Sequence, residues 1–178
     1  MGEGTTLNYG EVYSRMHEKT PKDWAGYTCC AHVDKIAALV KKHNARTMLD
    51  YGCGKGYQYL GRRIHEQWGG VLPHCYDPGI RQLNAKPEGT FDGVMCCDVL
   101  EHIEERDVDG ILAEIFGYAD KFVFMSIACV PAKVRALLPD GRNVHVTVQP
   151  PEWWQARIAK ANTKKIDVGT YFDTKVRT

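Results

Sequence analysis

Two short stretches and two isolated residues carry side chains suited to chemistry. The first stretch, Asp50-Tyr51-Gly52-Cys53-Gly54-Lys55-Gly56, sets three alternate glycines behind an acid. Glycine permits a tight turn and lets a ligand reach the backbone with no Cβ in the way. A helix beginning just beyond it presents free N–H groups. A dinucleotide loop needs Gly-x-Gly-x-x-Gly, but here the third glycine comes one residue early and Tyr57 follows it. A phosphate-cradling loop needs Ser or Thr after Gly-Lys, and Lys55 is followed by Gly56. Both nucleotide readings are weakened. Asp77, in Asp77-Pro78-Gly79, is a carboxylate able to accept from two vicinal hydroxyls. The second stretch, Asp98-Val99-Leu100-Glu101-His102, joins acids to an imidazole, and His145 lies further on. Imidazole titrates near neutral pH, which suits His102 and His145 to general-base work.

The elements that must hold these residues follow from hydrophobic spacing and chain breakers. Val33, Ile36, Ala37, Leu39 and Val40 recur at helical intervals and predict a helix over 31–43. Thr47 to Tyr51 is a short apolar run ended by glycines, a buried strand. A helix is expected from Tyr57 to Trp68, stopped by Gly69-Gly70. Strands are expected over Val71–Tyr76, Phe91–Val99, Lys121–Val130 and Ile166–Phe172, with helices over Asp107–Tyr118 and from Pro151 to about Ala161. Leu138-Pro139-Asp140-Gly141 marks a turn within the loop Pro131–Asn143. Strands alternating with helices predict an α/β, Rossmann-like doubly wound fold, a mainly parallel sheet with helices on both faces. Ligands of such sheets bind at the carboxyl ends of the strands, where every candidate residue falls.

Composition narrows the function. The 178 residues contain 23 Lys plus Arg against 22 Asp plus Glu, a net charge of +1. That balance speaks against coating nucleic acid or docking on anionic membrane, though it leaves room for a local basic patch. No apolar run nears the ~20 residues that cross a bilayer. Met1-Gly2-Glu3-Gly4 lacks the layout of a signal peptide. Seven cysteines, four of them in the adjacent pairs Cys29-Cys30 and Cys96-Cys97, show no Cys-x-x-Cys spacing and read as thiols of a reducing compartment. A cytoplasmic protein is expected. The chain shows no internal repeat.

The acid-first Gly-x-Gly-x-Gly loop, with Asp77 after the next strand, resembles motif one of class I S-adenosylmethionine-dependent methyltransferases. The resemblance covers about residues 31–172 and implies S-adenosyl-L-methionine as cofactor. It implies that Asp50, Gly52, Cys53, Gly54, Gly56 and Tyr57 form the methionine-side loop, that Asp77 and Pro78 meet the ribose, and that Asp98 borders the cofactor. It divides the chain into an N-terminal arm or lid (1–30), with Tyr9, Tyr13, Trp24 and Tyr27, and a methyltransferase domain (31–178). The family normally has a helix and a further strand between the ribose acid and the strand starting here at Phe91. Only the 13 residues Pro78–Thr90 intervene. A sheet truncated at one edge is therefore expected.

The second stretch resembles the acid-x-x-Glu-His motif of ubiquinone-type O-methyltransferases and of small-RNA 3′-terminal 2′-O-methyltransferases. There, acids and histidines hold a divalent cation that grips the acceptor's hydroxyls. His145, ahead of Pro150-Pro151-Glu152-Trp153-Trp154, is similar to their later histidine. The resemblance implies Asp98, Glu101, His102 and His145 as ligands of Mg²⁺, Mn²⁺ or Zn²⁺. Two further readings stay open: a metal-free base at His102 or His145 assisted by Glu101, and a structural role. One of Trp153 and Trp154 is expected to pack and the other to line the substrate mouth. The resulting expectation is methyl transfer to a hydroxyl of a small molecule, a sugar or diol-like acceptor. The alternatives are an RNA 2′-O-methyltransferase and a catalytically silent cofactor-binding subunit.

Overall fold

Met48, Leu49, Asp50 and Tyr51 are all buried, as a strand paired on both sides and covered on both faces must be. They form β1 (Met48–Tyr51) in the computed structural model, which describes residues 9–19, 25–133, 137–138 and 140–175. Beside β1 lie β2 (His74–Tyr76) and β3 (Phe91–Cys97), and beyond β3 come β4 (Ala119–Ala128) and β5 (Asp167–Asp173). The order is β2-β1-β3-β4-β5, with every neighbouring pair parallel. This is the expected doubly wound α/β sheet.

Alternation along the strands builds two cores. Phe122 and Phe124 of β4 join Met48 and Met95 against Ile36 and Val40 of α2 (Val33–His43). Val123, Met125 and Ile127 face the other way, toward Leu112 and Ile115 of α4 (Glu105–Tyr118) and Trp154 of α5 (Pro151–Ala161). Cys96 and Cys97 divide between the two cores for the same reason. Helix α5 starts with Pro151 at its first turn, where a missing N–H is harmless. Among the described residues no helix is long and apolar enough to cross a membrane.

Two elements depart from expectation. The helix expected over Tyr57–Trp68 is α3 (Tyr57–Leu60), a single turn, followed by a separate 3-10 turn at Ile64–Trp68. Gly61 weakens the helix, and Arg63 takes a left-handed φ of 50° that lets Ile64 and Trp68 pack beneath α2. Strand β2 starts at His74 and not Val71, because Pro73 has no N–H to give a ladder. In the N-terminal arm, α1 (Tyr9–Lys19) and a 3-10 turn at Thr28–His32 precede α2. Trp24 and the side chain of Tyr9 lie outside the described residues. Between β2 and β3 the chain forms turns, with Asp77 N–H donating to Leu83 O at 2.9 Å, and neither helix nor strand. The sheet therefore ends at β2, as the short connection requires.

Gly93 of β3 sits under Phe122; a Cβ there would meet that ring and lie 2.7 Å from Met48 Sδ. Urea unfolding of Gly93→Ala is expected to show a loss of about 1–3 kcal/mol from overpacking. Gly110→Ala, on the open face of α4 with no atom near its Cβ, should instead gain about 0.4–1 kcal/mol.

Candidate active site

The glycine loop turns sharply off β1. Gly52 has φ 80°, and a Cβ there would run into the side chain of Val99. The N–H groups of Gly52 and Cys53 both donate to Tyr76 O, at 2.8 and 3.1 Å, laying the loop along the end of β2. Asp77 then clamps the two sides together. Its Oδ2 accepts from Gly54 N–H at 2.8 Å and its Oδ1 from Gly79 N–H at 2.9 Å.

The expectation that α3 offers free N–H groups is corrected. Tyr57 N–H donates to Ala25 O and Gln58 N–H to Gly26 O, each at 3.1 Å, so the chain closes this helix end itself. Gly26 makes the approach possible. Its φ is 72°, and a Cβ there would strike Cys53 O and lie 2.8 Å from Gly56 N. Sequence reasoning missed Gly26, because an isolated glycine in an unpatterned arm carries no motif.

Asp50 lies beneath the loop and is fully buried. Its Oδ2 accepts from Gln58 Nε2 at 2.9 Å and from Tyr59 OH at 2.7 Å. Gln58 Oε1 in turn accepts from Cys29 N–H at 3.1 Å. Asp50 thus positions α3 and the arm and does not line the cleft. Burial pushes its carboxyl up to about 6, partly opposed by those two hydrogen bonds.

A cleft opens between Gly52, Gly54, Asp77 and Pro78 on one side and Asp98, Val99 and His102 on the other. Tyr13, Gly26 and Thr28 from the arm complete its wall. Of the other loop residues, Cys53 and Gly56 are buried behind this surface, and Tyr57 is exposed beside it.

The second motif splits. Asp98 adopts φ 54°, ending β3; its N–H donates to Ser126 O at 2.9 Å and its Oδ1 accepts from Ser126 Oγ at 2.7 Å. Held there, it stays out of the ligand cluster that the sequence placed it in. Glu101, His102 and His145 do converge, with one ligand atom of each within 4.8 Å of the others. Glu101 and His102 ride on a 3-10 turn, Leu100–His102. Glu101 Oε1 accepts from Ala128 N–H at 3.1 Å. His102 Nδ1 faces Val144 O at 3.0 Å and His145 Nδ1 faces Val130 O at 2.7 Å. A carbonyl only accepts, so each Nδ1 carries a proton. The rings meet edge to face, centroids 4.9 Å apart. Burial lowers the His102 pKa to about 3, with help from His145 and against the Val144 hydrogen bond, so its imidazole is neutral at physiological pH.

Tyr13 of α1 reaches this corner. Its hydroxyl donates to His102 O at 3.3 Å, and the two rings meet edge to face at 5.9 Å. The tryptophans take other places. Trp154 is fully buried, and Trp153 packs against the same core under Arg157, 3.8 Å from its ring centroid. Neither lines the cleft.

No family model matches the sequence, and no curated protein matches it. One solved structure it is similar to is described as an O-methyltransferase family protein from Burkholderia thailandensis. The two share 15% identity at a TM-score of 0.49, over 86% of this chain and 52% of that one. This chain thus spans about half the length of that protein.

A carboxyl raised in the folded state favours folding when protonated. Its contribution is complete below pH about 4 and lost as pH rises through about 6. For Asp50, raised from 3.8 to about 6, the loss amounts to about 3 kcal/mol. Urea titrations at pH 4 and pH 7 should show Asp50→Asn gaining that much on the wild type between the two. Parallel stability curves would disprove the shift.

Proposed function

We propose that this chain transfers the sulfonium methyl of S-adenosylmethionine to a hydroxyl oxygen, with Glu101, His102 and His145 holding a divalent cation beside the acceptor. The observation that carries the reading is convergence. Two imidazoles, each anchored through Nδ1 on a backbone carbonyl, and one buried carboxylate meet beside the cleft that the glycine loop and Asp77 open.

The donor set fits a cation. Ligands about 2.0–2.2 Å from one ion lie within about 4.4 Å of each other, close to the separation found here. Histidines that bind metal donate their second ring N–H to a carbonyl or carboxylate, as both of these do. Two nitrogens with one carboxylate favour Zn²⁺ or Mn²⁺ over Mg²⁺. Bound there, a cation lowers the pKa of a coordinated hydroxyl and orients it for attack. A neutral imidazole with its lone pair on Nε2 is the form a ligand needs. A pKa of about 3 also makes His102 a poor base at neutral pH, which disfavours the metal-free alternative at that residue.

The donor side fits as well. A carboxylate has acceptor capacity for about four donors, so the bonds from Gly54 and Gly79 are compatible with further ones from vicinal ribose hydroxyls. Gly52 and Gly54 leave room for the methionine portion, and Asp98, tied to Ser126, stands at the border between donor and acceptor. Tyr13 over His102 narrows the mouth and favours a small sugar or diol-like acceptor over a polymer.

Calorimetric titration with S-adenosylmethionine should give one site per chain, in Mn²⁺ and in EDTA alike, and Asp77→Ala should abolish it. Turnover on a panel of sugars and diols should need the cation. His145→Ala should leave donor binding intact while lowering turnover by roughly 100-fold, since even the outer partners of metal ligands carry ~10- to 100-fold effects. Equal turnover in EDTA would remove the cation from the mechanism. Transfer only to RNA would move the acceptor class, donor binding with no transfer to any acceptor would favour a silent cofactor-binding subunit, and absence of donor binding in both buffers would overturn the reading.

A further inference from the structure

The sheet leaves one long edge open. Strand β5 is paired with β4 in unbroken register and has no strand on its other side among the described residues. The opposite edge, β2, is only three residues long, as natural sheet edges often are. Cys129 N–H donates to Asp173 O at 2.8 Å, so Asp173 turns its backbone groups toward β4. The N–H and C=O of one strand residue point to one side, and those of the next residue to the other. Asp167, Gly169 and Tyr171 therefore also face β4, and Val168, Thr170 and Phe172 present their groups outward. Ile166, the residue before, is closed by Asn162. Its N–H donates to Asn162 Oδ1 at 3.0 Å, and Asn162 Nδ2 donates to Ile166 O at 2.8 Å. Among the described residues nothing does the same for the next three outward positions. No proline, lysine or bulge interrupts the strand, although these are the devices that usually blunt such an edge.

We infer that β5 is the interface of a two-fold dimer, in which β5 of a second copy of this chain pairs antiparallel with it about Thr170 and joins the two sheets into one. The open positions are symmetric about Thr170, and that symmetry selects a second copy over an unrelated strand. Thr170 meets Thr170 of the second copy and exchanges two hydrogen bonds with it. Val168 meets Phe172 of the second copy, and Phe172 meets Val168, with two further bonds at each pair. Every outward N–H and C=O of the three residues is then used on both copies. Other registers lose bonds. A slip of one residue sets outward groups against inward ones. A slip of two brings an outward residue either to Ile166, which Asn162 has closed, or past the end of the strand at Asp173.

The side chains agree with this register. Val168 and Phe172 are half-buried against the α4–α5 core, and across the axis they form β-branched–aromatic pairs on either side of a Thr–Thr pair. Both kinds of cross-strand pair are favourable. On the other face Tyr171 is 38% exposed, with Lys35 Nζ 4.4 Å and the His32 ring 4.7 Å from its ring centroid. It comes opposite Gly169 of the second copy, where no side chain contests the space and an aromatic neighbour compensates an edge glycine. Asp167 comes opposite Asp173 of the second copy. That pair is like-charged, but Lys42 Nζ already lies 2.7 Å from Asp167 Oδ2, so a cation stands where the second carboxylate arrives. Antiparallel pairing sends the carboxyl ends of the two sets of strands to opposite edges of the joined sheet. The two clefts then face away from each other, and the dimer is independent of what either cleft binds.

The test is sedimentation equilibrium of the full chain over a concentration series, with amide hydrogen exchange followed by NMR at its two ends. The series runs up to ~1 mM, because a single-strand edge makes a small interface and a weak dimer. The mass should rise from 20.1 kDa to twice that and no further, since two-fold pairing is closed. Amides of Val168, Thr170 and Phe172 should exchange roughly tenfold more slowly where about a tenth of the chains remain monomeric. Those of Gly169 and Tyr171, bonded to β4, should not change. Thr170→Lys sets two like charges at the axis, and Thr170→Pro removes the donor there, a change an edge position tolerates. Each should stay monomeric at concentrations where the wild type is dimeric. Glu88→Lys, an exposed change in the turns between β2 and β3, should dimerise as the wild type does. The exchange pattern of the wild type stands without the variants should they fail to fold. A wild-type chain monomeric at every concentration, a dimer whose three outward amides exchange as in the monomer, or growth beyond two copies would each overturn the inference.

Discussion

Parallel register is the constraint on which the rest of the molecule depends. Five strands running one way place all their carboxyl ends on one edge of the sheet. The loop after β1, Asp77 after β2, the turn after β3 and Val130 after β4 are therefore neighbours, although some eighty residues separate the first from the last. Both faces of such a sheet are covered, so its interior must be apolar: Phe122 to Ala128 of β4 form an unbroken buried run. Polar chemistry is driven to the strand ends, where desolvation is incomplete and backbone groups remain to be satisfied.

Those ends are held by backbone partners more than by side chains pairing with each other. Asp77 accepts from two amides, Glu101 from one, and each imidazole of the cluster rests on a carbonyl. A buried polar group tied to the backbone has little freedom to rearrange, so the Nε2 atoms are aimed before any ligand arrives. Preorganisation of this kind lowers the reorganisation needed when charge develops in a reaction. The arrangement also explains the division of the second motif. The left-handed turn at Asp98 sends its carboxylate to Ser126, and the following 3-10 turn brings Glu101 and His102 to His145.

The N-terminal arm belongs to the same assembly. Carbonyls of Ala25 and Gly26 close the start of α3, Cys29 N–H is bound by Gln58, and Gln58 is bound by Asp50. Further out, Tyr13 touches His102. One segment thus contacts both the glycine loop and the Glu–His–His corner. The buried carboxyl of Asp50 bears the tension of this arrangement, since it holds two donors in a place that disfavours its charge.

The sequence by itself determined what depends on neighbours in the chain. Alternating glycines behind Asp50 specify a turn, the apolar spacing of Val33 to Val40 specifies α2, Pro151 marks the start of α5, and thirteen residues between Asp77 and Phe91 leave the sheet to end at β2. Each follows from local backbone preference, side-chain period or the reach of a short chain. Tertiary structure alone decided which polar groups meet. That Ala25 and Gly26 take up the amides of α3, that Ser126 withdraws Asp98 from the cluster and that Val130 fixes the tautomer of His145 are all contacts across long sequence separations. Their geometry is set by the strand register and by the need of every buried polar group for a partner, and neither is written in the spacing of the residues concerned.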